Sequence, residues 1–375
     1  MNNINSVLEN DEKIIFRLRE LYSKYGYMKY RMSKFEEYDL YVRNKDFLVS
    51  ENIITFTDVD GKLMALKPDV TLSIIKNSRE DTASVQKMYY NENVYRASSE
   101  TRAFKEIMQT GLEAIGDIDD YCICEVVMLA AKSLECISKD YILDISHMGI
   151  VSQAMEGIEI SLNGKTALLK ALGEKNVGGI SAVCAAEGID EKSTDLLKKL
   201  VTVYGAPDKV IAKLKSLPQA EKFSDAIKQL ENITEMLTLV GCADKVRIDF
   251  SVVNDMGYYN GVVFKGFVNG VPEGVLSGGQ YDNLMRKMSR KSGAIGFAVY
   301  LDLLERIYED SHDYDVSTVL LYDEDAKLCD VNNAVNKLID KGETVIAQKT
   351  KPEKLTYKKL VRLCKTEVEE IENNA

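Results

Sequence analysis

In "IMQTGLEAIG", Gln109 and Glu113 stand four residues apart. On an extended strand that spacing puts both side chains on one face, because strand side chains alternate, and puts Met108 and Leu112 on the other. An amide beside a carboxylate on an inner sheet face can hold an amine or an imidazole N–H. On an outer face the same pair would only be solvated. Further along, "NDMGYYNGVVFKGFVNG" (Asn254–Gly270) has the form of an enzyme's floor, with the Tyr258–Tyr259 pair, a glycine and an alternating strand. It contains no histidine, arginine or serine. "SGGQYD" (Ser277–Asp282) asks for a close backbone approach or a tight bend. Asp69 and Thr71 in "KPDVTLSII" are good helix N-caps, and on local grounds need be nothing more.

Metal chemistry finds little support. There are two histidines, His147 and His312, and His147 reads as a structural histidine on a strand. The seven cysteines are odd in number and irregular in spacing, and no second pair follows Cys122-x-Cys124 at zinc-like spacing. With an N-terminus, "MNNINSVLEND", that lacks an apolar signal region, they are expected as reduced thiols in a cytoplasm. No metal and no cofactor are expected. No apolar run reaches about 18 residues, so no membrane span is expected. A net charge of −11 over 375 residues disfavours a large phosphate-binding surface, since nucleic-acid affinity rests on Lys and Arg.

The elements that would position these residues follow from periodicity. Ile14, Leu18, Leu21 and Tyr25 fall on one helix face, with Gly26 just past its end. Residues 53–57 and 63–66 read as two strands joined at "DVDG", and a helix begins near Asp69 or Thr71. "VQKMYYNENVYR" and "FKEIMQTGLEAIG" form a second strand pair, joined by "ASSETRA". An amphipathic helix capped by Asp119 or Asp120 follows, then the strand "YILDISHMGIV". Residues 151–245 are rich in Ala, Leu, Lys and Glu at helical spacing. Strand patterns return at "KVRIDFSVV" and continue through "GYYNGVVFKGFVNGV", "GVLSGGQYDNLM" and "SGAIGFAVYLDLLERI". From Asp313 the order strand, helix, strand, helix predicts a small α/β tail. The fold class is therefore α+β: an antiparallel sheet flanked by helices, with a helical insertion and a small α/β C-terminal segment.

The order of these segments resembles the class II aminoacyl-tRNA synthetases, and specifically the histidyl-tRNA synthetase family. "ALKPDVT" is similar to that family's Arg-Pro-Glu-Gly-Thr element, and "KMYYNENVYRASSETRAFKEIMQTGLEAIG" to its motif 2. "GYYNGVVF" resembles Leu-Asp-Tyr-Tyr-Thr-Gly-Thr-Val-Phe, "LSGGQYDNL" resembles Gly-Gly-Gly-Arg-Tyr-Asp-Gly-Leu, and "GFAVYLDLL" stands in the place of motif 3. The resemblance runs from about residue 10 to 310. It implies one discontinuous synthetase-like domain (1–150 and 246–310), a helical insertion (151–245), and a tail (313–375) that is a remnant of an anticodon-binding domain.

Carried over residue by residue, the resemblance implies a histidine pocket. Asp69 stands for the amine-binding glutamate, and Thr71 and Gln109 also meet the amine. Glu113, Tyr259 and Tyr281 surround the imidazole, with Tyr258 beside them. The activating groups are not kept. The arginine four residues before the Tyr-Tyr pair falls at Asn254, the motif 3 arginine at Leu303, the arginine of Gly-Gly-Gly-Arg-Tyr at Gln280, and an acidic motif 2 residue at Ser98. Arg96 and Arg102 remain as the anion contacts. Adenylation needs positive groups and metal-holding carboxylates where charge develops on phosphate. Binding groups kept and activating groups lost make a sensor, as in the synthetase-like regulatory subunits of ATP phosphoribosyltransferase, which "LSGGQYDNL" and "GFAVYLDLL" resemble more closely. That resemblance implies a non-catalytic partner of a short-form catalytic subunit, assembled as a hetero-octamer from homodimers, with histidine as effector, in the first step of histidine biosynthesis. No tRNA is expected, given the short tail and the −11 charge. Ser33 lies near the place of the motif 1 proline, in the family's dimer interface. The rival expectation is a divergent histidyl-tRNA synthetase or another amino-acid-activating enzyme.

Overall fold

The computed structural model describes residues 8–45, 48, 53–79, 83–97, 103–252, 258–304 and 314–374. The chain divides into two compact units, Met1–Arg306 and Ile307–Ala375.

The first unit opens with α1 (Asn10–Lys24), which ends before Gly26 at φ +81. Its buried stripe is Ile14, Ile15, Leu18 and Tyr22, not the expected line through Leu21 and Tyr25. Tyr22 packs edge-on against Phe297 and bonds Ser133 at 3.0 Å, which turns the helix by about one residue. Next come β1 (Met28–Lys29), β2 (Phe35–Glu37), α2 (Tyr38–Arg43), β3 (Thr55–Thr57) and β4 (Leu63–Leu66). The last two pair antiparallel around Gly61, and β2 adds to β4. In α3 (Thr71–Asn77), Asp69 caps the first turn by accepting the Leu72 N–H at 2.8 Å.

The expected hairpin is present as β5 (Val85–Ala97) and β6 (Phe104–Gly116), antiparallel along their length. Asp119 caps α4 (Asp120–Ile137). β7 (Tyr141–His147) is shorter than expected, because "MGIV" already begins α5 (Met148–Ala154). His147 makes that switch: its Nδ1 accepts the Gly149 N–H at 3.1 Å and its Nε2 pairs with Gln229 at 2.9 Å, a satisfied structural histidine. Between β7 and the next long strands lie α6 (Leu162–Gly173), α7 (Val177–Ala186), α8 (Glu191–Thr202), β8 (Tyr204–Gly205), α9 (Pro207–Lys215) and α10 (Ser224–Leu239). The chain returns through β9 (Val246–Asp249), β10 (Val262–Val268), β11 (Leu276–Gln280), α11 (Asp282–Lys287) and β12 (Gly293–Tyr300).

Nine strands make one sheet in the order β1-β5-β6-β12-β11-β10-β7-β9-β8. It is antiparallel through its middle, but β1 runs parallel to β5 and β9 parallel to β7, so the sheet is mixed at its margins. Helix α4 covers one face, with α1 and α10 packed on it. Its buried residues include Cys122 and Cys124, and all seven cysteines are free thiols. No described helix is long and apolar enough to cross a membrane.

The second unit has β13 (Val316–Leu321), α12 (Leu328–Ile339), β14 (Val345–Gln348), β15 (Tyr357–Cys364) and β16 (Glu367–Asn373), with sheet order β14-β13-β15-β16. The expected final helix is instead a hairpin. Tyr357, Leu360 and Val361 are buried at helix-like spacing because this inner strand is packed on both faces, Leu360 clustering with Val319 and Leu321, and Val361 with Leu320, Ala334 and Leu338. Lys365, at φ +57, turns the chain.

Candidate functional site

The face of the large sheet opposite α4 carries a cavity of about 280 Å³. Its floor follows from register, since residues opposite one another across a ladder point to the same side. Glu113 lies opposite Gly296, Gly111 opposite Ala298, and Gln109 opposite Tyr300. Glycines are needed in that floor. A Cβ on Gly296 would sit 1.8 Å from Glu113 Oε2 and 2.5 Å from the Leu112 carbonyl oxygen. One on Gly111 would sit 2.2 Å from the Phe297 carbonyl oxygen and 2.6 Å from Tyr90 Oη. The walls come from the α3 start (Asp69, Val70, Thr71), the Tyr258–Tyr259 turn and Tyr281. The three tyrosine rings form a cluster, Tyr258 to Tyr259 at 4.5 Å and Tyr258 to Tyr281 at 5.8 Å.

All seven residues expected to bind histidine line this one cavity: Asp69, Thr71, Gln109, Glu113, Tyr258, Tyr259 and Tyr281. Gln109 and Glu113 share a buried face, each no more than 3% exposed, which excludes the solvated alternative. Glu113 is the centre. Its Oε1 accepts from Thr71 Oγ1 at 2.9 Å and its Oε2 from Tyr281 Oη at 2.5 Å. Gln109 offers a buried amide nitrogen with no partner among the described residues, a costly state unless a ligand meets it. Arg96 also lines the cavity, its Nε donating to the Pro68 carbonyl at 2.9 Å. Gln280 points elsewhere, donating to Asp282 Oδ2 at 2.8 Å, and Leu303 lies half-buried in the turn after β12. Asn254, Ser98 and Arg102 lie outside the described residues.

Tyr90, Ser277, Gly296 and Tyr300, which the sequence does not single out, also line the cavity. Gly296, inside a strand pattern, did carry a local sign of close approach. Tyr90 and Tyr300 enter only through strand pairing.

The electrostatics describe a site waiting for a cation or an N–H donor. Burial pushes the Glu113 carboxyl up to about 8, against the pull of the Tyr281 and Thr71 hydrogen bonds, and the neighbouring Asp69 adds repulsion. Burial also raises Asp69, opposed by the Leu72 N–H and by Arg96. Such a pair, faced by tyrosines and an amide, suits a small ligand with an ammonium and a ring N–H. Among the described residues no group of His, Cys, Asp and Glu is arranged to hold a metal.

A stability effect follows for protein without added ligand. Folded Glu113 keeps its proton up to about 8, whereas the unfolded chain releases it near 4.5. The stabilisation is therefore complete below 4.5 and is lost as pH rises towards 8. Melting curves of ligand-free protein are expected to show Tm falling across that window, and Glu113→Gln is expected to flatten the fall. An unchanged slope in the variant would remove Glu113 as its source.

The histidyl-tRNA synthetase family profile matches residues 5–304. The chain belongs to that family. Within the histidyl-tRNA synthetase family it is similar to the ATP phosphoribosyltransferase regulatory subunit of Alkaliphilus metalliredigens, at 26% identity over 295 residues, 77% of this chain and 74% of that protein. Among solved structures it is similar to an "ATP phosphoribosyltransferase regulatory subunit/histidyl-tRNA synthetase" from Bacillus halodurans C. The two share a TM-score of 0.76 and 25% identity over 94% and 93% of the two chains. A chain of the ATP phosphoribosyl transferase complex from Thermotoga maritima shares the fold, with a TM-score of 0.60 and 20% identity over 78% of this chain and 97% of that one. These matches agree with the class II synthetase-like α+β architecture read from the sequence.

Proposed function

We propose that this chain is the non-catalytic regulatory subunit of an ATP phosphoribosyltransferase, acting in the first step of histidine biosynthesis and sensing histidine. The observation that carries the reading is a contrast within one site. The seven residues matched to amino-acid recognition converge on one cavity. The positions matched to activation hold Gln280, engaged with Asp282, and aliphatic Leu303. The names of the Alkaliphilus and Bacillus relatives support the same assignment.

In this reading histidine places its imidazole N–H on Glu113, between Tyr259 and Tyr281, and its ammonium by Asp69, Thr71 and Gln109. Arg96 and Arg102 are the anion contacts. The chain pairs with itself and joins a short-form catalytic subunit as a hetero-octamer in the cytoplasm, without tRNA. Residues 151–245 serve as an insertion into the synthetase-like domain, and the tail as an anticodon-binding-domain remnant.

A second reading, a divergent histidyl-tRNA synthetase, is favoured by Arg96 at the cavity. The two separate in one assay. Histidine-dependent exchange of pyrophosphate into ATP is expected to stay at background, while addition of the chain to a short-form catalytic subunit is expected to raise phosphoribosyl-ATP formation. Clear exchange by pure protein, abolished by Arg96→Ala, would restore the enzyme.

A further inference from the structure

The aromatic wall of the cavity stands on a short turn, Tyr258–Gly261, and Asp282 holds that turn. Its Oδ2 accepts from Asn260 Nδ2 at 2.9 Å and from Gln280 Nε2 at 2.8 Å, while its Oδ1 accepts the Ala294 N–H at 2.9 Å. The Asp282 N–H donates back to Asn260 Oδ1 at 2.7 Å, and the Asn260 N–H donates to the Gln280 carbonyl at 3.1 Å. Both ends of the Asn260 side chain and its backbone are thus fixed by the stretch that carries Tyr281. The turn also lies hard against Gln280, since a Cβ on Gly261 would meet Gln280 Oε1 at 2.0 Å.

We propose that Asn260, Gln280 and Asp282 form a clamp that positions Tyr258 and Tyr259 against Tyr281, with Asp282 as its positioning residue. Gln280, which stands where the family resemblance puts an arginine, has a role of its own here as the second donor to Asp282. The inference rests on the histidine pocket for its effect on binding, not for its geometry. A carboxylate shared by two side-chain donors and one backbone N–H is a strong local tie, because hydrogen bonds to an ionised acceptor exceed neutral ones. None of the three residues lines the cavity, so the clamp acts through the tyrosines alone.

The test uses the full chain, with two readouts: amide hydrogen exchange of residues 258–262 and calorimetric titration with histidine. Asn260→Ala removes both side-chain bonds. Exchange over 258–262 is expected to rise by roughly tenfold and histidine affinity to fall by roughly tenfold, about one net hydrogen bond in each case. The reciprocal double exchange, Asn260→Asp with Asp282→Asn, restores a donor facing an acceptor once the Gln280 amide turns over to present its oxygen to the new donor, and is expected to recover part of both losses. A general packing defect would not be recovered in that way. Wild-type exchange rates in a folded Asn260→Ala protein would overturn the clamp. Raised exchange with unchanged affinity would overturn its role in recognition. If the wild-type chain binds no histidine, the proposed function falls, and the clamp is decided by the exchange rates of the two variants.

Discussion

Glu113→Ala is expected to weaken histidine binding by roughly 10- to 100-fold and to leave the fold intact. The expectation follows from where the carboxyl sits. It is 2% exposed, held by Thr71 and Tyr281, and it supplies the acceptor in the middle of the cavity. A buried hydrogen bond to a charged group is worth on the order of 1.5–3 kcal/mol, and about 1.4 kcal/mol is tenfold in affinity. Stability is spared because the same carboxyl is expensive to bury, as its rise to about 8 records. The pH dependence provides a signature. In the empty cavity Glu113 is largely protonated below about 8, so a ligand that donates to the carboxylate must displace that proton. Histidine affinity is therefore expected to rise as pH increases from about 6.5, where free imidazole loses its charge, towards 8. Glu113→Gln should bind weakly with a flat profile. Calorimetry across that range checks both, and a profile unchanged in the Gln variant would contradict the assignment of the acceptor.

Gly296→Ala is the harsher change, with an expected loss of more than about 100-fold in histidine affinity. The new methyl group would stand 1.8 Å from Glu113 Oε2, so the carboxyl must leave its place and give up Thr71 and Tyr281. It would also press on the Leu112 carbonyl oxygen at 2.5 Å, which does not swing aside as a side chain does. A fall in Tm is expected to accompany the loss of binding, unlike Glu113→Ala. Calorimetry and a thermal melt on the two variants separate loss of the acceptor from loss of the space beside it. Gly296→Ala binding histidine like wild type would show that the ligand does not use this floor.

Much of the site was legible because its key relations are local. Gln109 and Glu113 lie on one strand, and period 2 alone places them on one face. Asp69 and Asp119 cap helices whose starts their own neighbours announce. What lies between strands was not legible. Glu113 faces Gly296 across a ladder although 183 positions separate the two, and no local pattern encodes which strand will arrive there. The tail failed for a different reason. Leu360 packs into one apolar cluster and Val361 into another on the opposite face, so a strand buried on both sides shows no period of two and has the spacing of a helix. In the sequence Gln280 shows only that an arginine is absent; its bond to Asp282 depends on the Asn260 turn meeting β11, a contact made in three dimensions.

If this pocket senses histidine on behalf of another enzyme, inhibition of that enzyme must track histidine binding at Glu113. An effector can shift an assembly only through differential affinity for its states. The most direct measurement is phosphoribosyl-ATP formation by a short-form catalytic subunit reconstituted with this chain, titrated with histidine, using wild-type protein beside Glu113→Ala. Stimulation by both proteins is expected, with the half-inhibitory histidine concentration raised roughly 10- to 100-fold by the variant, in step with its weakened binding. Equal inhibition of the two complexes, with the variant folded and assembled, would place the sensor outside this pocket.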